Sequence, residues 1–235
     1  KRETALITGA TSGIGYELGK LFARDKANLV IVSRNEERLK KVKSEFLILG
    51  APHVTTIAKD LSVPGAALEV FNETMDNNID VSILVNDAGV GEFGYFSDTD
   101  LDKEDTIIQL NIVSVVHLTK YYLKEMLFRN SGRILNVASI SSYQPTPRLS
   151  IYAASKAFVL SFTDALIYEL RETGVSVTAL IPGPTDTDFF RKAHMEHTKA
   201  AVDNPQDAVE VAEAGYKGLF KGTNHVTPKF AVQAL

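Results

Sequence analysis

The chain has 235 residues, 45% of them apolar, enough for one α/β domain to bury its core without covalent staples. It contains no cysteine, which excludes a disulfide framework and a thiolate metal site and suits a reducing, cytoplasmic setting. The net charge of -4, from 25 basic and 29 acidic residues, offers no basic footprint for nucleic acid, and no apolar run reaches the roughly 18 residues of a membrane span.

The opening KRETALITG enters a strand pattern at once, with no secretory apolar segment before it. Six short runs rich in Val, Ile and Thr follow in order: TALIT (4–8), NLVIVS (28–33), HVTTIA (53–58), VSILVN (81–86), RILNVA (133–138) and VSVTALI (175–181). They are apolar on both faces, as parallel strands read when helices cover both sides of their sheet. Helical patterns fill the gaps, over about 14–25, 35–48, 64–77, 101–129 and 152–172. The alternation predicts an α/β fold: a Rossmann-type doubly wound parallel sheet, in three α/β/α layers, forming a single domain over 1–235. Ligands of such sheets bind beyond the carboxyl ends of the strands. The stretch PGPTDTDFFRKAHMEHTKAAVDNPQDA (182–208) is less regular, with turn residues at both ends, and about 184–205 reads as a lid over the site. The closing HVTPKFAVQAL reads as a last strand.

Chemistry begins at the first strand-helix junction, ALITGATSGIGYELGKLF. Gly9, Gly13 and Gly15 allow a tight turn and a close approach of backbone to a ligand, with Thr11, Ser12 and Ile14 completing the loop. The helix that follows presents free N–H groups and a positive dipole end to a pyrophosphate. A merely tight turn is the bland alternative, but the position on the first strand of an alternating pattern favours a dinucleotide. The second strand ends at Ser33 and Arg34, 18 residues after Gly15, where an NAD site commonly offers a carboxylate to the ribose 2′-OH. No acid stands there. Arg34 with the Ser33 hydroxyl suits a 2′-phosphate, Arg38 stands one turn into the helix, and NADP is expected over NAD, although Glu36 and Glu37 add negative charge nearby.

Hydride delivered to a carbonyl carbon leaves negative charge on its oxygen, which needs a proton donor within hydrogen-bond reach. In YAASK, Tyr152 and Lys156 stand four residues apart on one helix face, and the ammonium is expected to bring the phenol pKa down from its ordinary value near 10. Ser139, at the end of the fifth strand and 13 residues before Tyr152, can hold the same oxygen. Taken alone, each is ordinary: a Tyr and a Lys on one helix face are commonplace, Ser141 and Ser142 are rival hydroxyls, and Asn111 could just interrupt a helix.

Together these stretches resemble the short-chain dehydrogenase/reductase family. The matching residues are Thr-Gly-x-x-x-Gly-x-Gly at 8–15, Asn-x-Ala-Gly at 86–89, Asn111, Ser139, Tyr-x-x-x-Lys at 152–156, and Pro-Gly at 182–183 with Thr187 after it. They follow the family's order and span nearly the whole chain. One departure is Asp87, where the family more often has a second Asn, with little effect on the fold expected. The resemblance implies Tyr152 as general acid/base, Lys156 as its tuner and a ribose ligand, Ser139 as binder of the substrate oxygen, and Asn111 as support for a water relay to Lys156. It also implies that Asp60, with Leu61 beside it, meets the adenine edge, that Asn86, Ala88 and Gly89 pass the adenine ribose, and that Pro182, Gly183 and Thr187 flank the nicotinamide. A homodimer or homotetramer is implied as well.

The function read from this is an NADP-dependent oxidoreductase acting on a small-molecule carbonyl or secondary alcohol, with no nucleic-acid or membrane partner. A non-net-redox epimerase or dehydratase on the same fold, and a catalytically silent dinucleotide sensor, are the alternatives; intact Tyr152, Lys156 and Ser139 argue against the sensor. Phe93, Tyr95, Phe96, Tyr143, Phe189 and Phe190 are candidates for an aromatic substrate pocket. Arg148 reads as a surface residue, and His194 and His197 lack the further ligands a metal site needs.

Overall fold

Seven parallel strands make one sheet: β1 (Thr4–Thr8), β2 (Asn28–Ser33), β3 (Val54–Ala58), β4 (Ile83–Asn86), β5 (Gly132–Val137), β6 (Val175–Leu180) and β7 (His225–Val226). The computed structural model describes residues 2–228, without the side chains of 199 and 200. The strand order is β3-β2-β1-β4-β5-β6-β7. The chain therefore steps outward from β1 to β3, returns to lay β4 beside β1, and continues the other way. At that reversal the loops leaving β1 and β4 diverge, and a crevice opens between them.

Successive side chains on each strand point to opposite faces, so every strand feeds two cores. Ile7, Ile31, Val85 and Leu135 pack with Leu18 and Phe22 of α1 (Gly13–Arg24), Leu39 and Phe46 of α2 (Glu36–Leu49), and Val211 and Leu219 of α9 (Ala208–Lys221). Leu6, Val30, Leu84 and Ile134 pack with Val70 of α3 (Ala66–Asp76), Leu118 and Tyr122 of α5 (Ser114–Phe128), and Leu166 of α6 (Ser150–Glu169). A fully buried Leu, Ile or Phe contributes about 1.5–3 kcal/mol, so these two faces rather than helix propensity hold the layers together. The result is the expected Rossmann-type doubly wound fold.

The stretch read as one helix over 101–129 is not continuous. It comprises α4 (Leu101–Ile108), a π-helical turn at Gln109–Val113, and α5. The wider turn carries Asn111, which is buried. Helix α6 is long and apolar enough to cross a membrane by length and composition alone, but it packs one face on the sheet through Val159, Leu160 and Leu166. The 184–205 stretch holds two short helices, α7 (Phe189–Lys192) and α8 (Lys199–Val202). Of the last predicted strand, β7 is present, and residues 229–235 lie outside the described residues.

A buried polar network fixes α5 and α6 to the middle of the sheet. Asn86 and Asn136 are register partners on β4 and β5. The Asn86 amide donates to Asn136 Oδ1 at 2.8 Å and to Thr119 Oγ1 on α5 at 3.1 Å, and the Asn136 amide donates to Thr163 Oγ1 on α6 at 3.0 Å. Asn136→Leu keeps the volume but removes two of these bonds. It is expected to cost about 1–3 kcal/mol, roughly 2–4 °C in melting temperature per kcal/mol for a chain of this size. An unchanged melting curve would mean the network does not hold α6.

Candidate active site

The floor of the crevice is the junction of β1 and α1. Gly9 and Gly13 have φ of 72° and 59°, in the left-handed region that glycine tolerates. A Cβ on Gly13 would lie 3.0 Å from the Thr187 methyl, and one on Gly15 would lie 2.5 Å from Asp87 Oδ2. Ser12, the N-cap of α1, makes no side-chain cap bond, so the positive end of this helix is left for a ligand. Gly9, Thr11, Ser12, Gly13 and Ile14 line a cavity of about 580 Å³. Gly15 does not line it, because its N–H donates to Asp87 Oδ2 at 3.0 Å. This cradle, shaped by positions that a Cβ would fill, fits a dinucleotide pyrophosphate.

At the end of β2, the Ser33 and Thr11 hydroxyls are 3.0 Å apart, and both residues line the cavity with Arg34, Asp60 and Leu61. The Asp60 carboxylate accepts from the backbone N–H and hydroxyl of Ser62, at 3.0 and 2.7 Å, and stands 3.7 Å from the Arg34 guanidinium. Burial works to raise its pKa, but the Ser62 bonds and Arg34 outweigh that and hold it below the usual range. Arg38 does not line the cavity and instead stands 3.7 Å from Asp188 Oδ2.

The opposite end carries the groups expected to handle the proton. Ser139 caps a single 3₁₀ turn (Ile140–Ser142), its hydroxyl accepting from Ser141 N–H at 3.1 Å. Tyr152 and Lys156 come from the first two turns of α6, and all three residues line the cavity. The Lys156 ammonium donates to the Val137 carbonyl at 2.8 Å and sits 5.9 Å from the centre of the Tyr152 ring. Burial pushes the Tyr152 phenol up to about 12, the Ser139 hydrogen bond pulls it down, and the negative charge of Asp87 adds to the rise. The expectation that Lys156 brings this phenol below 10 is therefore not met: exclusion of water from the phenolate is the dominant effect. Burial also lowers the Lys156 ammonium, with Asp87 opposing.

Asn86 is expected beside the adenine ribose, and Asn111 as support for a water relay to Lys156; neither lines the cavity. Asn86 belongs to the network under the sheet and does not line the cavity, whereas Ala88 and Gly89 do. Asn111 also lies outside the lining. Its Oδ1 accepts from Val90 N–H at 3.0 Å, and its amide donates to the Val90 carbonyl at 2.9 Å and to Ser155 Oγ at 3.0 Å. A Cβ on Gly89 would be 3.4 Å from both Asn111 Oδ1 and Lys156 Nζ, so the two side chains flank that glycine.

Residues 182–206 cover the remaining side. Pro182, Gly183 and Thr187 line the cavity. Gln206 ties both ends of the stretch together: its side chain accepts from Gly183 N–H at 3.2 Å, its N–H donates to the Pro184 carbonyl at 2.7 Å, and its carbonyl accepts from Asp186 N–H at 2.8 Å. Of the six aromatic candidates, Phe93, Phe189 and Phe190 line the cavity, and the Phe189 ring centre is 4.9 Å from that of Tyr152. Tyr95, Phe96 and Tyr143 are exposed outside it. Arg148 bonds to the Tyr95 hydroxyl at 2.7 Å and stacks over its ring. Among the described residues, no group of three or more His, Asp or Glu side chains is arranged to hold a metal ion.

Sequence reasoning missed the weight of Asp87, Lys192 and Gln206. The departure at Asp87 from the family pattern was the signal available for the first; Lys192 and Gln206 carry no local signal. Burial raises the Asp87 carboxyl to about 7, with Lys156, the Gly15 N–H and Lys192 opposing. Folding therefore takes up a proton at Asp87 between the ordinary carboxylate range and about pH 7, so this contribution to stability is present at low pH and lost as pH rises through that window. Asp87→Asn removes it. Urea midpoints measured from pH 4.5 to 7.5 should show the wild type losing stability relative to Asp87→Asn by at most about 1.4 kcal/mol per pH unit. A difference of the opposite sign would mean that Asp87 is held ionised.

The short chain dehydrogenase family model matches residues 3–198. An uncharacterized oxidoreductase of Staphylococcus epidermidis is 33% identical over 213 residues, covering 90% of this chain and 91% of its own. Among solved structures, a short-chain dehydrogenase from Sphingobium yanoikuyae in complex with NADPH superposes with a TM-score of 0.91 at 28% identity, covering 99% of this chain and 90% of that one. A bulky-bulky ketone specific alcohol dehydrogenase from Comamonas testosteroni superposes with a TM-score of 0.85 at 28% identity, covering 97% and 86%. Sequence, fold and the arrangement of Ser139, Tyr152 and Lys156 beside a glycine cradle agree, and the chain belongs to the short-chain dehydrogenase family of oxidoreductases.

Proposed function

We propose that this protein is an NADP-dependent oxidoreductase that reduces a bulky, apolar, ring-bearing ketone or oxidises the corresponding secondary alcohol. The observation that carries the reading is that Ser139, Tyr152 and Lys156 line the same cavity as the uncapped start of α1. The bound nicotinamide would supply or accept the hydride. The residues of this chain do the rest. The Ser139 hydroxyl donates a hydrogen bond to the carbonyl oxygen as charge grows on it, and the Tyr152 phenol gives that oxygen its proton. The Lys156 ammonium, fixed on the Val137 carbonyl, faces the ribose side and stabilises the phenolate left behind. Asn111 anchors the first turns of α6 through Ser155.

Ser33 and Arg34 at the end of β2, with no carboxylate at either position, favour a 2′-phosphate. The NADPH complex of the Sphingobium relative is consistent with this. For the substrate, Leu149, Phe93, Phe189, Phe190 and Met195 surround the approach to Tyr152 with apolar surface, and the ketone preference of the Comamonas relative agrees. The 184–205 stretch serves as the lid. Exposed Phe128 on α5 and Phe158 and Tyr168 on α6 fit pairing across those helices in a homodimer or homotetramer, and we place the protein in the cytoplasm.

A panel of ketones followed at the NADPH absorbance tests this reading. Tyr152→Phe is expected to lower turnover about 100- to 10,000-fold while leaving NADPH affinity nearly unchanged; full turnover in this variant would remove Tyr152 from the proton transfer. Arg34→Ala should weaken NADPH binding about 10- to 100-fold and NADH binding far less. Equal losses for the two would discard the 2′-phosphate assignment.

A further inference from the structure

Four cations converge where the 184–205 stretch meets the end of β2. Arg34 and Arg38 come from the sheet side, and Arg191 and Lys192 from α7. Among the described residues, the carboxylates paired with them are Asp60, beside Arg34, and Asp188, which serves the other three. Asp188 Oδ2 is 3.7 Å from Arg38 and 3.9 Å from Lys192, and Oδ1 is 3.3 Å from Arg191. All three distances exceed the roughly 2.7–2.9 Å of a charge-assisted hydrogen bond. One carboxylate is thus shared among three cations without a short bond to any. Glu36 and Glu37 stand in the first turn of α2, and Glu36 is engaged by Lys40 at 2.8 Å.

Of the two α7 cations, Lys192 lines the dinucleotide cavity. Its surroundings are crowded with positive charge: burial lowers its ammonium pKa, and Arg38, Arg34 and Arg191 lower it further against the pull of Asp188. Its field also reaches Asp87 beneath the glycine turn. Thr187, five residues before it, packs against Gly13, which seats the stretch directly on the cradle. A cation lining the same cavity as the glycine turn, among like charges and loosely balanced by one acid, is arranged for an anion that arrives with the ligand.

We propose that Lys192 is a lid-borne ligand for a phosphate of the dinucleotide, and that Asp188 is an internal stand-in for that phosphate, displaced from the cations when the cofactor binds. The inference rests on the dinucleotide reading above. It adds a binding residue beyond Thr187 and makes closure of the lid depend on cofactor charge.

Fluorescence titration of NADPH, without substrate, tests it on wild type, Lys192→Gln, Lys192→Arg and Asp188→Asn. Lys192→Gln should raise the NADPH Kd about tenfold, Lys192→Arg should stay near wild type, and Asp188→Asn should bind as tightly as wild type or more tightly. A parallel NADH titration identifies the phosphate: equal weakening by Lys192→Gln assigns the pyrophosphate, and weakening confined to NADPH assigns the 2′-phosphate. Unchanged Kd values for both cofactors in Lys192→Gln overturn the proposal. A loss in Asp188→Asn as large as that in Lys192→Gln overturns the stand-in role. Wild type that binds neither cofactor would instead sink the dinucleotide reading itself.

Discussion

One half-buried hydrogen bond, from the Gly15 N–H to the Asp87 carboxylate, joins the two loops that diverge between β1 and β4. The rest of the crevice is organised around it. Thr8, at the end of β1, reinforces the joint: its hydroxyl accepts from the N–H groups of Asp87 and Ala88 at 3.0 Å each and donates to the Val85 carbonyl. With the carboxylate fixed there, Gly9 and Gly15 have no room for a Cβ, so the cradle's need for glycine follows partly from Asp87 as well as from the ligand. A neutral amide could accept the same N–H without the desolvation cost that a buried carboxylate carries. That cost is only partly offset by Lys156 and Lys192, whose charges both act on Asp87. The floor of the crevice is thereby coupled electrostatically to Lys156 on α6 and to Lys192 on α7.

Much of this was legible in the sequence because it depends on patterns repeated over several residues. Six strands lie within two residues of their expected bounds, since runs apolar on both faces have few other readings in an alternating chain. The glycine turn and the Ser139, Tyr152, Lys156 set were found because their spacing matches a family order. The π-helical turn at 109–113 was not legible, since one wider turn leaves the apolar periodicity of 101–129 almost unchanged. The directions of Asn86 and Asn111 were not legible either, because sequence shows that a polar side chain is present and not which way it points. The pKa of Tyr152 was misjudged for a related reason. Proximity to Lys156 can be read from a spacing of four, but burial by Phe189 and the lid cannot.

The polar residues of the site divide into those that touch the cavity and those that place them. Asn86, Asn136 and Thr163 pin the middle of α6 to the sheet. Asn111 holds Ser155, and Ser142 donates to the Lys156 carbonyl at 2.8 Å. Helix α6 is thus fixed at two heights, at Ser155–Lys156 and two turns on at Thr163. An error of about 1 Å in the position of Tyr152 would cost far more than any single one of these bonds contributes to stability. Their number is better explained by positioning than by stability.

Closure and acidity are linked through the same surface. Phe189 rests on Tyr152, and Phe190 and Met195 seal the space beside it with Leu149. Burial pushes the phenol up to about 12, so Tyr152 holds its proton throughout the neutral range. A held proton is what a carbonyl reduction requires, because the phenol must be able to give it up when the oxygen becomes an alkoxide. The reverse, alcohol oxidation, would need the phenolate first, and burial opposes its formation. In the proposed reaction, burial of Tyr152 therefore favours the reductive direction. Phe189 and Phe190 sit on the same short helix as Lys192, so the proposed phosphate contact and the apolar cover of Tyr152 would move together.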